Sequence, residues 1–272
     1  MVYSGNATSR MEAASASRSV FGYPNTPQTK ALRWELDHPS GVMGDNEIVA
    51  ARELGQIVIE PYENDLLKSS SYDVRLGGNF YVAEQVGHKV DFSPYAEYEV
   101  QEYYKGPMKA IPAGEWCKEH GRRQFPGIDP DELVIVLRPG ECILAHTVEF
   151  IGAIEGITTM MKARSSLGRI NISSCDDAGW GDVGYINRWT MEIRNKNRNV
   201  WVPLVVGMPI AQMVFFHVAE SGQSYAESGH YQSSKDVESL RTSWTPEQML
   251  PRLWSEKNRE IRQRLKGSTE VW

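Results

Sequence analysis

TTMMKARSSLGRINISSCDDAGWGDVGYINRWTMEIRNKNRNVWVPLVVGMPIAQMVFFHV, residues 158–218, is the stretch whose reading decides the fold. It holds four apolar, β-branched or aromatic runs: TTMMKA (158–163), GYINRWTMEIRN (184–195), VWVPLVV (200–206) and PIAQMVFFHV (209–218). Each is short enough for a strand, each is bounded by turn residues, and no long helical period lies between them. Several short strands in succession predict an antiparallel β-barrel or jelly-roll.

Working outward, LVIVLRPGECILAHTVEFIG (133–152) supplies two more strands around Pro139-Gly140. SSYDVRLGGNFYVAE (70–84) alternates at Tyr72, Val74 and Leu76, then at Phe80 and Val82, and Gly77-Gly78 reads as a strand–turn–strand break. IVIEP (57–61) is a strand, preceded by a short helix that Asp45 caps, that runs through Ile48, Ala51 and Leu54, and that Gly55 ends. Residues 88–131 show no clean period and read as an irregular insertion. Residues 1–40, rich in Ser, Ala, Asn and Pro, read as a flexible N-terminal extension. The β domain then spans 41–234, and 235–272 form a C-terminal helical tail, within which Thr245-Pro246-Glu247 is a helix-start signal.

Composition excludes several classes. A chain of 272 residues with 41% hydrophobic and 24% charged residues fits one main domain with appendages. No apolar run approaches the roughly 20 residues of a membrane helix, and the first residues lack the apolar core of a secretory signal. These features set the expectation of a cytoplasmic protein without a membrane partner. A net charge of −6 disfavours binding to a nucleic acid polymer, although a local Arg cluster can still hold phosphate. Cys117, Cys142 and Cys175 lie too far apart to suggest a disulfide framework.

The chemistry is concentrated in four ordered segments: ARSSLGR (163–169), DAGWGDVGY (177–185), TMEIRN (190–195) and GMPIAQMVFF (207–216). Arg164, Ser165, Ser166 and Arg169 offer two guanidinium forks and two hydroxyls, a set suited to phosphate oxygens. Taken alone, such a run is more often a solvated turn, and an isolated Glu192 is more often an outward strand carboxylate.

Together these segments resemble the dCTP deaminase/dUTPase superfamily. RSSLGR is similar to its phosphate-binding motif, and SSYDVRLG, with Ser70, Ser71, Asp73, Arg75 and Gly77, is similar to its opening segment. The resemblance spans roughly 44–234 and implies a dUTPase-like fold. Glu192 in TMEI stands where the deaminases carry a catalytic glutamate, which points to that branch.

The resemblance implies zinc-independent hydrolytic deamination of dCTP to dUTP, with continuation to dUMP left open. Glu192 moves the protons, and Ser165 together with the Ala178 carbonyl holds the attacking water. Arg169 faces the developing charge. Arg164, Ser166, Leu167 and Gly168 belong to the phosphate loop. Asp182 takes the sugar hydroxyl, Tyr185 lies beneath the sugar, Thr190 and Met191 line the base, and Gln212 lies near the nucleotide.

Mg²⁺ is expected to arrive on the triphosphate. A zinc deaminase signature is absent, and Cys117 with His120 lacks a second ligand pair. A homotrimer or homohexamer is implied, with sites completed by adjacent subunits. The family's closing segment is altered here: in SYAESGHYQSSKD (224–236), Tyr225, Tyr231 and Gln232 remain, while His230 replaces a Lys and Ser234 a Gln. Lys235 is an alternative cation there. Two other readings stay open, a dUTPase that uses Asp182 and a nucleotide-binding regulator without turnover.

Overall fold

In the computed structural model, residues 41–83, 91–154, 156–218, 225 and 236–266 are described. The expected extension 1–40 and the closing residues His230, Tyr231, Gln232 and Ser234, with Lys235, lie outside them.

All described strand pairings are antiparallel. Helix α1 (Asp45–Glu53) leads into β1 (Ile57–Glu60). The large sheet is built on β3 (Ser71–Ala83), β7 (Cys142–Ala153), β8 (Ile157–Ala163), β11 (Ile186–Asn195) and β13 (Pro209–His217). Short strands β2 (Leu67–Lys68), β4 (Tyr104–Lys109), β9 (Ile172–Ser174) and β10 (Trp180–Gly181) extend it. Its order is β10-β8-β13-β3-β7-β11-β9, with β1 on β7 and β2 and β4 on β3. A second, three-stranded sheet joins β5 (Ile111–Pro112), β6 (Leu133–Leu137) and β12 (Val202–Val205). The mainly β architecture expected from the short strand runs is therefore present.

The alternating strands bury one face. Along β11, Trp189, Met191, Ile193 and Asn195 point into the protein, and Arg188, Thr190 and Glu192 take the other face. Tyr72, Val74 and Leu76 of β3 meet Met213 and Phe215 of β13 in the same core. Each such side chain, fully buried, contributes about 1.5–3 kcal/mol from apolar transfer. The buried Glu149 carboxylate is paired: Arg75 donates to it from Nε at 2.6 Å, and the Arg75 amide donates to it at 2.9 Å.

Four expectations need correction. Gly77-Gly78 is no turn, because β3 runs straight through the pair and its register against β7 shifts between Leu76 and Phe80. Gly77 is required there because a Cβ would overlap the ring of His146. The cap of α1 is Gly44 rather than Asp45, with the Gly44 amide donating to Glu47 at 3.0 Å; Gly55 does follow the helix, at φ +75°.

Within 88–131 the described residues, 91–131, carry regular structure. They form α2 (Glu97–Tyr103), β4, β5 and α3 (Ala113–Glu119), whose Trp116 and Cys117 pack with Val134 of β6. Elements of two to seven residues are too short to show a period in sequence. Finally, the tail is not one helix. It comprises α5 (Val237–Ser243), a 3₁₀ turn (Pro246–Met249) and α6 (Glu256–Lys266), interrupted where Pro251 lacks the amide a helix needs.

Candidate active site

Glu192 sits mid-strand on β11, opposite Leu144 of β7, and its carbonyl accepts from the Cys175 amide at 3.0 Å. The strand is hydrogen-bonded on both sides, by β7 and β9, so the carboxylate is carried on a rigid base. Cys175, at the exit of β9, adopts a left-handed φ of 60°, and the chain then crosses Glu192 through Asp176, Asp177 and Ala178.

Two cavities meet at Glu192. The larger, about 340 Å³, is lined by Ala178, Trp180, Asp182, Tyr185, Thr190 and Glu192, among others. The smaller, about 200 Å³, has Asp176, Asp177, Cys142 and Arg194 around the same glutamate. The larger volume falls in the range of small-molecule sites, roughly 300–1,000 Å³.

Glu192 Oε2 is buried with no hydrogen-bond partner among the described residues. Burial raises the proton affinity of the carboxyl above the ordinary carboxylate value, and the charges of Asp177 and Asp176 push in the same direction. The adjacent Cys175 thiol is pushed up to about 12, first by burial and then by the Glu192 charge. It is therefore a protonated neighbour and not a nucleophile. A carboxyl with one unpartnered buried oxygen and raised proton affinity, set beside a cavity, suits proton exchange with a bound molecule.

The expected residues divide into two groups. Glu192, Thr190, Ala178, Asp182, Tyr185 and Tyr225 converge on the larger cavity. The Tyr225 amide donates to the Val183 carbonyl at 2.9 Å, and its ring meets Tyr185 edge-on at 5.0 Å. Met191 is fully buried in the core, so its side chain is not part of the wall; the strand alternation sends it to the opposite face from Glu192.

The phosphate-loop residues form a separate place. Ser165, Ser166, Leu167 and Gly168 make the single turn α4 (Ser165–Gly168), between Arg164 and Arg169 at its two caps. Ser165, Ser166, Gly168 and Arg169 are exposed, and none of 164–169 lines either cavity. Arg164 is held 3.4 Å from the buried carboxylate of Asp73 and donates to the Pro209 carbonyl. Gln212, on β13 opposite Asp73 and Lys162, also stays outside both cavities.

Other side chains of the larger cavity went unread in the sequence: Tyr104 from β4, Asn187 and Arg188 from β11, and Trp244, Gln248, Met249 and Pro251 from the tail. A lone Trp-Thr-Pro in a charged tail was the available signal. No group of three or more His, Cys, Asp or Glu side chains able to hold a metal occurs among the described residues. His120 stacks on Trp116 at 4.1 Å, and Cys117 is buried in the small apolar cluster beside it. No helix among the described residues is long and apolar enough to cross a membrane.

Residues 42–218 match the model of the dCTP deaminase-like family. The chain belongs to that family. A "dCTP deaminase, dUMP-forming" of Methanopyrus kandleri is 34% identical over 193 residues, covering 69% of this chain and 88% of the relative. One of the same description from Methanosphaerula palustris is 28% identical, covering 72% and 92% respectively. Among solved structures, a 2′-deoxycytidine 5′-triphosphate deaminase from Agrobacterium tumefaciens aligns with a TM-score of 0.46 and 16% identity. The alignment covers 65% of this chain and 48% of that one. The family match contains Glu192 and residues 164–169, and it ends before the tail residues that line the cavity.

Proposed function

We propose that this family member hydrolyses the C4 amine of dCTP, with Glu192 as the proton carrier and the resulting dUTP continuing to dUMP. The observation that carries the reading is Glu192 itself, with an unpaired buried oxygen and raised proton affinity at a nucleoside-sized cavity. Water adds to C4 as Glu192 accepts its proton. The glutamate passes that proton to N3, and a second transfer to the exocyclic nitrogen lets ammonia leave while the C4 oxygen becomes the uracil carbonyl. A second water then attacks the phosphate chain and pyrophosphate departs. The names of the relatives favour this second step.

The triphosphate brings Mg²⁺, held mainly by its own oxygens and water. The exposed α4 hydroxyls and Arg169, outside the Glu192 cavity of their own chain, suit a site shared between copies. In that arrangement Ser165 and Arg169 of one subunit face Glu192 of the next, in a homotrimer or a pair of trimers.

Purified full-length protein incubated with dCTP and Mg²⁺ tests the reading by ammonia release and by separation of dUTP from dUMP. No ammonia, with dUTP cleaved, favours a dUTPase. The raised proton affinity of Glu192 predicts that kcat/KM climbs with pH through a value above the ordinary carboxylate range.

A further inference from the structure

We infer that Gln248, carried on the segment that follows the family domain, contacts the substrate and reads a hydrogen-bond donor on the nucleoside. The identity of the nucleoside rests on the function proposed above.

Two walls of the cavity beside Glu192 differ in origin. One is β11. Another is the tail, which contributes Trp244, Gln248, Met249 and Pro251. This segment lies wholly outside residues 42–218. It is fastened to the sheet at three points. Leu240 is buried against Phe150 and Ile186, the Trp244 ring lies 4.6 Å from His146, and Met249 is buried with Tyr81 and Leu144. Asp236 caps α5, accepting from the Ser239 amide at 2.8 Å. The tail is thus a built part of the pocket.

The Gln248 side chain has a defined orientation. Its Nε2 donates to the Ser243 carbonyl at 3.0 Å, which leaves Oε1 as the end turned toward Asn187. There the Asn187 Nδ2 is 3.5 Å away, a long contact, and a carboxamide oxygen has two lone pairs. Acceptor capacity therefore remains on an atom of a cavity-lining residue. Such an acceptor, set among Trp, Tyr and Met side chains, selects a ligand that presents a donor to it, because a ligand lacking one strands the oxygen without water. A deoxycytidine nucleotide offers two donors of this kind, the exocyclic amine of the base and the 3′-hydroxyl of the sugar.

The test uses the full chain in a Glu192→Gln background, so that binding is read without turnover. Calorimetry with Mg²⁺ and dCTP, dUTP or 2′,3′-dideoxy-CTP compares Gln248 with Gln248→Leu. About a tenfold loss of dCTP affinity is expected, the size of one net hydrogen bond, 1.4 kcal/mol. If the amine is read, dUTP binding is unchanged by the substitution and the dideoxy compound loses affinity like dCTP. If the hydroxyl is read, the two exchange roles. Equal losses for all three, or no loss for any, overturn the inference. Gln248→Met, tested in parallel and checked by melting temperature, separates lost recognition from lost folding. Binding of dCTP without ammonia release by the unsubstituted chain defeats the deaminase reading and leaves this test intact.

Discussion

The two walls of the Glu192 cavity are held by different forces, and the contrast separates chemistry from recognition. On β11 the side chains from Thr190 to Arg194 take their direction from a hydrogen-bonded register, with Glu192 opposite Leu144 and Ile193 opposite Ser174. The tail wall has no such ladder. The Trp244 ring meets His146 at a tilt of 52° and lies 4.7 Å from the Arg188 guanidinium, and Met249 is buried with Tyr81 and Leu144. A reacting group needs the first kind of support. An added wall can tolerate the second.

The largest effect is expected on the strand wall. Glu192→Gln keeps the shape of the side chain and removes its proton exchange, so deamination should fall about 10³-fold, within the range general acid–base catalysis supplies. Nucleotide binding by calorimetry should persist. Ammonia release at the original rate removes Glu192 from the chemistry and leaves the two walls equivalent.

The next effect tests the seam between the walls. Burial, aided by the Arg188 charge, depresses the His146 pKa from 6.5 to about 4 despite its bond to the Thr147 carbonyl. The folded protein thus binds this proton more weakly than the unfolded chain does. Stability from the neutral ring is fully present above about pH 6.5 and is lost as pH falls toward 4. The full loss is about 3 kcal/mol. Melting curves between pH 7 and 4.5 should show this decline, and His146→Asn should flatten it. An unchanged slope in the variant assigns the acid sensitivity to other groups.

Trp244→Ala attacks the tail alone. It removes a half-buried indole from His146 and Arg188, and a cost of about 2 kcal/mol follows from lost burial and ring contacts. KM should rise more than kcat falls, because the strand carrying Glu192 is untouched. A fall in kcat with unchanged KM shows instead that the tail supports the chemistry.

The same contrast explains what the sequence reveals. Strands β8, β11, β12 and β13 announce themselves because each is a short apolar, β-branched or aromatic run bounded by turn residues. Glu192, Thr190, Asp182 and Tyr185 were legible because they stand in ordered motifs within that pattern. Met191 stands in the same motif, yet the strand alternation sends its side chain into the core, so motif position alone does not make it a site residue. Gly77-Gly78 looked like a turn because sequence records the missing side chain and not the His146 ring that fills its place. Trp244, Gln248 and Met249 were illegible as site residues. Their role depends on a long-range contact between the tail and β3, β7 and β11, and no local period encodes it.

The smallest effect bears on whether charge also fastens the tail. Arg241 of α5 lies 3.6 Å from Glu60 at the end of β1 and 3.9 Å from Glu238 one turn earlier. All three side chains are largely solvated, so each pair is worth less than about 1 kcal/mol and is screened by salt. Arg241 also repels Arg188, whose guanidinium is already made less basic by burial. Removing Arg241 therefore takes away a weak attraction and a weak repulsion together. Arg241→Ala should move the melting temperature by no more than about 2 °C. It should leave KM for dCTP unchanged at both 50 mM and 500 mM salt. A salt-dependent rise in KM places electrostatics, and not ring contacts, at the root of the tail wall.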